Sequence, residues 1–253
     1  MSADQDWGAY LEEFHRDAPG VTERMLGRAR DDAGGDPYQW AAVAVPNDGM
    51  VIDLACGSAP LADHLAHDRY LGIDLSRAEL DLAVARVGSD RVVRADVTQL
   101  PITDDATDTV TCLMALMLVQ PLEGVQREIR RVLRPGGMLV ALLSGGAPAS
   151  VADALRWGAV LAALRMPGLR WPNPEAIGPA EQWLDEAFTI LSDEVRTFAY
   201  PIDDAASARQ LIASLYLPDV PADRVETATR VAGSLIGRAI GIPLRRVVAR
   251  TWP

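Results

Sequence analysis

Between residues 50 and 143 short apolar runs alternate with amphipathic stretches, the rhythm of β-α-β units wound around a parallel sheet. The runs at 50–54, 70–74, 91–95, 109–114 and 138–143 predict strands, and 59–67, 78–87 and 122–133 predict the helices between them. In the last helix Val125, Ile129, Val132 and Leu133 recur at helical spacing, with Arg127, Glu128, Arg130 and Arg131 on the other face. Pro135-Gly136-Gly137 stops that helix and turns into an apolar strand. Upstream, 7–40 is helical in pattern with breaks at Pro19-Gly20 and from Gly34 to Pro37. Downstream, helices are expected at 149–165, 179–187, 205–215 and 222–240, a Pro-rich loop at 166–174, and further strands at 195–200 and 244–251. The pattern is that of an α/β protein with helical additions before and after its sheet.

Composition narrows the class. The chain has 253 residues, 49% of them hydrophobic, and no apolar run approaches the ~18 to 20 residues that cross a bilayer. Its first residues lack the basic start and apolar stretch of a secretory signal, so a cytoplasmic protein with no membrane partner is expected. Cys56 and Cys112 are too few for a disulfide framework and do not show metal-ligand spacing, so reduced thiols and no metal are expected. A net charge of −11 repels phosphate backbones and disfavours nucleic acid as a partner. The chain has no lysine, which excludes a lysine base or Schiff base.

The chemistry concentrates at strand ends. Val51 to Pro60 reads as a buried strand ending in an acid, then a turn of small residues, then a helix start whose free N–H groups suit an anionic group. Asp74 ends a second apolar strand 21 positions after Asp53, a spacing that fits a carboxylate accepting from ribose hydroxyls, with Ser76 free to cap the next helix. A third acid, Asp96, follows the third strand. Three such acids converge on the crevice where open α/β sheets bind ligands. The dinucleotide fingerprint is missing, since the turn has one glycine, Gly57, and Asp53 would repel a pyrophosphate. The same acid favours the cationic methionine portion of S-adenosylmethionine.

Four ordered pieces, VIDLACGSAP, GIDLS, RADVTQLPI and the stretch from Asp108 through L-R-P-G-G to Leu143, resemble the class I S-adenosylmethionine-dependent methyltransferases. Within these they are similar to the small-molecule branch of ubiquinone-biosynthesis methyltransferases. The resemblance spans roughly 50–146. It implies a doubly wound seven-stranded sheet, mostly parallel with an antiparallel last strand at 244–251, plus a helical cap. It further implies a single methyltransferase domain over 1–253, with an N-terminal cap at 1–45, a cofactor-binding core at 46–146, and cap helices with the last strands at 147–253. By this resemblance Asp53, Ala55, Cys56 and Gly57 line the methionine end of the cofactor. Asp74 holds the ribose with Leu75 beside the adenine, Asp96 and Val97 bind the adenine edge, and Leu113 and Met114 lie near the sulfonium. The family usually has glycine where Ala59 stands; an added methyl costs little if the backbone there is helical.

The implied reaction is methyl transfer to a small-molecule acceptor by positioned in-line displacement. Met117 stands where several relatives carry histidine, so no base carries over to that position. His15, in the N-terminal segment that in related enzymes folds over the cofactor, is the candidate general base; His64 and His67 read as surface or packing residues. Met117, Trp157 and Trp171 are candidates for contact with a hydrophobic or aromatic acceptor, or else cap core. A protein of the same fold that binds the cofactor without methylating, as a cyclase, isomerase or ligand sensor, is the alternative. Monomer and homodimer are both open.

Overall fold

Strand β1 (Val51–Leu54) is buried at all four positions, Asp53 included, because both faces of the sheet are covered there. The computed structural model describes residues 6–184 and 186–252, so positions 1–5 and 253 and position 185 of the helix expected at 179–187 lie outside the described residues. β1 pairs in parallel with β2 (Tyr70–Asp74) on one side and β4 (Thr107–Leu113) on the other. β3 (Val92–Arg94) adds to β2, and β5 (Leu133–Ser144) to β4. β7 (Arg238–Thr251) runs antiparallel between β5 and the edge strand β6 (Phe188–Ile202). Among the described residues the sheet has seven strands in the order β3-β2-β1-β4-β5-β7-β6, with β7 alone reversed, as the resemblance implied. The order turns back at β1 and β4, which opens a crevice at their carboxyl ends.

The helices flank this sheet. α1 (Trp7–Asp17), α2 (Val21–Leu26) and α3 (Pro37–Ala42) occupy the front segment. α4 (Arg77–Val87) follows β2, capped by Ser76 and stopped at Gly88. α5 (Leu122–Val132) turns Val125, Ile129 and Val132 into the core. Glu128 corrects the expected polar face of α5: it is buried, accepts from the Leu100 N–H at 2.8 Å and pairs with Arg131 at 2.7 Å. α5 also ends at Val132, before the Pro-Gly-Gly, because Arg134 precedes a proline and takes extended backbone with Leu133. The Pro-Gly-Gly sits inside β5, where its pairing with β4 slips.

α6 (Val151–Leu164), the short α7 (Ala180–Trp183), α8 (Ala205–Ala213) and α9 (Ala222–Gly233) complete the chain. Residues 238–240, expected as the end of a helix, instead open β7, because Gly237 breaks the chain at φ 82°. One core lies between the sheet and α5; a second, built on Phe198, Tyr200, Leu211 and Ile240, lies under α6, α8 and α9. Among the described residues no helix is long and apolar enough to cross a membrane.

Candidate active site

At the carboxyl end of β1, Asp53 is 1% exposed. The parallel register sets it opposite Thr111 of β4 and Gly72 of β2. Its carboxylate accepts from the Thr111 hydroxyl at 2.6 Å and the Tyr70 hydroxyl at 2.8 Å. Burial nevertheless pushes Asp53 up to about 6, with the two hydroxyl bonds opposing the shift and nearby Asp74 adding to it. A buried acid so poorly solvated gains much from a neighbouring cation. Gly72 makes the arrangement possible: a Cβ there would sit 2.8 Å from the Cys56 sulfur and 3.0 Å from the Tyr70 hydroxyl.

Past Leu54 the chain turns through three left-handed residues, Ala55 at φ 51°, Gly57 at 54° and Ala59 at 59°. Ala59 is therefore not helical in the right-handed sense, which corrects the expectation that its methyl is nearly free. An L-residue there costs about 1 kcal/mol or more relative to glycine. The stretch expected as a helix at 59–67 is two 3₁₀ turns, Pro60–His64 and His67–Arg69, because the left-handed Ala59 and the extended Leu65 and Ala66 bound them. The Gly57 N–H turns to Asp74, donating at 2.8 Å.

Asp74 ends β2 and also accepts from the Ser76 N–H at 2.8 Å, while burial holds its carboxyl above the usual range. Ser76, not Asp74, caps α4. Asp96, beyond β3, is exposed and accepts from Thr98. All ten residues expected at the cofactor line one cavity of about 750 Å³: Asp53, Ala55, Cys56, Gly57, Asp74, Leu75, Asp96, Val97, Leu113 and Met114. Another hollow, of about 890 Å³, opens beside Trp252 at the opposite end of the sheet.

His15 of α1 also lines the crevice cavity, with its Nδ1 2.9 Å from Glu79. Glu79, in the first turn of α4, is 4% exposed and accepts from the Gly20 N–H at 3.0 Å through both oxygens. Phe14 and Tyr216 pack on the imidazole at 5.2 and 6.0 Å between ring centroids. The three acceptor candidates lie elsewhere. Met117 is fully buried in the core under the sheet. Trp171 stands behind Tyr216, ring against ring at 6.2 Å, and it is Tyr216 that faces the cavity. Trp157 belongs to the cap core, its indole donating to the Gly241 carbonyl at 2.8 Å. His64 lies 3.6 Å from Asp36, away from the cavity.

Tyr38, Tyr70, Thr111, Glu79 and Tyr216 are site residues to which the sequence pattern does not point. Aligning β1 with β4 would have found Thr111, since the register places it opposite Asp53. Tyr38, Tyr70 and Tyr216 carry no local signal, and Glu79 carries one that points to a helix cap.

Comparison with known proteins matches residues 52–141 to a family described as a methyltransferase domain. A demethylmenaquinone methyltransferase of Clavibacter sepedonicus is 41% identical over 107 residues, which is 39% of this chain and 42% of that protein. The enzyme of that name from Mycobacterium marinum is 32% identical over 165 residues, 64% of each chain. A 2-phytyl-1,4-naphtoquinone methyltransferase of Synechococcus elongatus is 36% identical, covering 41% of this chain and 48% of its own. The chain thus spans about half the length of the curated relatives it matches. Among solved structures, the cyclase SpnF superposes with a TM-score of 0.54 at 22% identity, covering 85% of this chain and 79% of that one. A methyltransferase of Thermotoga maritima does so at 0.52 and 13% identity, covering 97% and 98%. At these identities the likeness speaks for the fold. Residues 52–141 are thus a methyltransferase domain of the class I S-adenosylmethionine-dependent type.

Proposed function

We propose that this chain transfers a methyl group from S-adenosylmethionine to a small-molecule acceptor with an aromatic or hydrophobic ring. The observation that carries the reading is the buried, poorly solvated Asp53 beneath a crevice that also gathers Asp74 and the small-residue turn. When bound, the cofactor supplies an electrophilic methyl group on a cationic sulfur and leaves as a neutral thioether.

The chain's own residues do the rest. Asp74 keeps lone pairs for ribose hydroxyls beside its two backbone donors. Ala55 and Gly57 let the backbone approach the methionine portion, and Asp53 offsets its positive charge. Leu75 and Val97 flank the adenine, with Asp96 at its edge; Leu113 and Met114 stand where β4 ends, at the reacting centre. Leu11, Leu118, Tyr38 and Tyr216 give the cavity apolar and aromatic wall. The quinone methyltransferases among the relatives support an aromatic acceptor. Glu79 accepts from His15 Nδ1–H, which leaves Nε2 to take a proton from the acceptor.

Calorimetric titration with S-adenosylmethionine, S-adenosylhomocysteine and NADH tests the cofactor, with binding of the first two and silence from the third expected. Asp74→Ala should weaken that binding by ~1 to 3 kcal/mol. Transfer of labelled methyl to a reduced naphthoquinone tests the acceptor class. His15→Gln should slow that transfer by about 10² to 10⁴ while sparing cofactor binding. Cofactor binding with no transfer to any aromatic acceptor would leave the fold but remove this acceptor class.

A further inference from the structure

The cofactor turn alternates left-handed residues at 55, 57 and 59, and two of the three are alanines, which resist that backbone region. Something outside the turn must hold it. Ser58, between two of these residues, is 2% exposed and is gripped at both its backbone and its side chain. The Arg86 Nε, from the last turn of α4, donates to the Ser58 carbonyl at 2.9 Å. The Ser58 hydroxyl donates to Glu23 of α2, and Arg86 closes the ring by donating from Nη2 to Glu23 and from Nη1 to Asp63. The turn, the front segment and the helix after β2 thus meet at one serine.

We propose that Arg86 and Glu23 are positioning residues for the cofactor: their ring of hydrogen bonds around Ser58 holds the alanine-bearing turn in its ligand-ready conformation. The proposal rests on the reading of this crevice as the S-adenosylmethionine site. Arg86 does not line the cavity, and Glu23, which does, acts on the cofactor through Ser58. Without the ring, Ala55 and Ala59 relax toward right-handed or extended backbone, and binding must then restore the turn at the expense of affinity. Glu23 also ties the front segment to the turn, so that a well-formed cofactor loop requires a docked α2.

The test is a double-mutant cycle read by calorimetric titration with S-adenosylmethionine, with a thermal melt of each variant. Arg86→Gln is expected to weaken binding at least tenfold. In an Ala59→Gly background, where glycine takes the left-handed region freely, the same change is expected to weaken it less than threefold. A purely structural ion pair would lower the melting temperature equally in both backgrounds and leave both dissociation constants in place, which would overturn the proposal. An equal loss of affinity in both backgrounds would overturn it as well. Should Arg86→Gln fail to fold, Arg86→Lys keeps a cation for Glu23 but loses the Nε donor to Ser58; it is expected to fold and to show the same dependence on residue 59. Silence of the wild-type protein toward S-adenosylmethionine would remove the cofactor reading itself, whereas wild-type binding with an unaffected Arg86 variant would remove only the proposal.

Discussion

The two halves of the sheet are built for different ends. β3, β2, β1 and β4 are strands of 3, 5, 4 and 7 residues, and polar groups such as Asp53, Thr109 and Thr111 are buried among them. β5, β7 and β6 run for 12, 14 and 15 residues, and the face of the β6–β7 pair under the cap buries Phe198, Tyr200, Ile202 and Ile240 completely. Short parallel strands bring many chain exits to one crevice, each exit placing an acid or a turn there. The long antiparallel pair offers few exits and much apolar burial. Both halves bury an apolar core, but the short half also retains a desolvated carboxylate that disfavours the folded state at neutral pH.

That division predicts where substitutions act. Phe198→Ala removes a fully buried ring packed on Trp40 at 5.6 Å between centroids. It should destabilise the protein by about 3 to 5 kcal/mol, measured by urea unfolding, and leave cofactor affinity unchanged in whatever remains folded. A matching loss of affinity would mean that the halves are not separable.

Asp53→Asn should act in the opposite sense. Its carboxyl titrates near 6 in the folded protein, against an ordinary value of 3.8. Between these values the folded state binds the extra proton, so Asp53 lowers stability as pH rises from about 4 through 6, and its penalty is complete above that window. Asparagine carries no charge to desolvate. The variant should therefore match the wild type near pH 4, exceed it by up to about 3 kcal/mol at pH 8, and bind the cofactor more weakly. Unfolding curves of the two proteins at both pH values check this. Parallel behaviour would mean that Asp53 is ionised in the fold at no cost, and the contrast between the halves would lose its energetic basis.

Much of the short half was legible in the sequence, because a strand buried on both faces must be an apolar run and its terminal acid then stands out. Asp53, Asp74 and the turn between them needed nothing more. The partners of these acids were not legible, since pairing across strands depends on register: Tyr70 begins β2 and looks like any aromatic strand residue. Glu79 was hidden for a different reason. Ser76-x-x-Glu79 has the form of a capping box, in which Glu79 would return to the Ser76 N–H. Asp74 takes that N–H instead, and Glu79 is left to hold Gly20 and His15. The long half was under-read because Gly241 and Pro243 punctuate β7. Pro243 is tolerated there because it lies just beyond the last β5 pair, Ser144 with Leu244, and its carbonyl still accepts from the Gly145 N–H at 2.8 Å.

Trp157 draws the finest line between the halves. Its sequence context, an apolar helix face with further aromatics downstream, fits an acceptor wall and a cap core equally well. In the structure its indole N–H donates to the Gly241 carbonyl, and its ring packs into the core under α6, α8 and α9, outside the crevice. Trp157→Phe keeps an aromatic ring and deletes that donor, so it should lower stability by about 1 kcal/mol. Cofactor affinity and the rate of methyl transfer to a given acceptor should stay within about twofold of wild type, since the ring touches neither. Thermal melts and label-transfer rates on the same preparation separate the two roles. A variant that melts like the wild type but loses transfer would place Trp157 at the acceptor, and the cap would then belong to the site as much as to the long half.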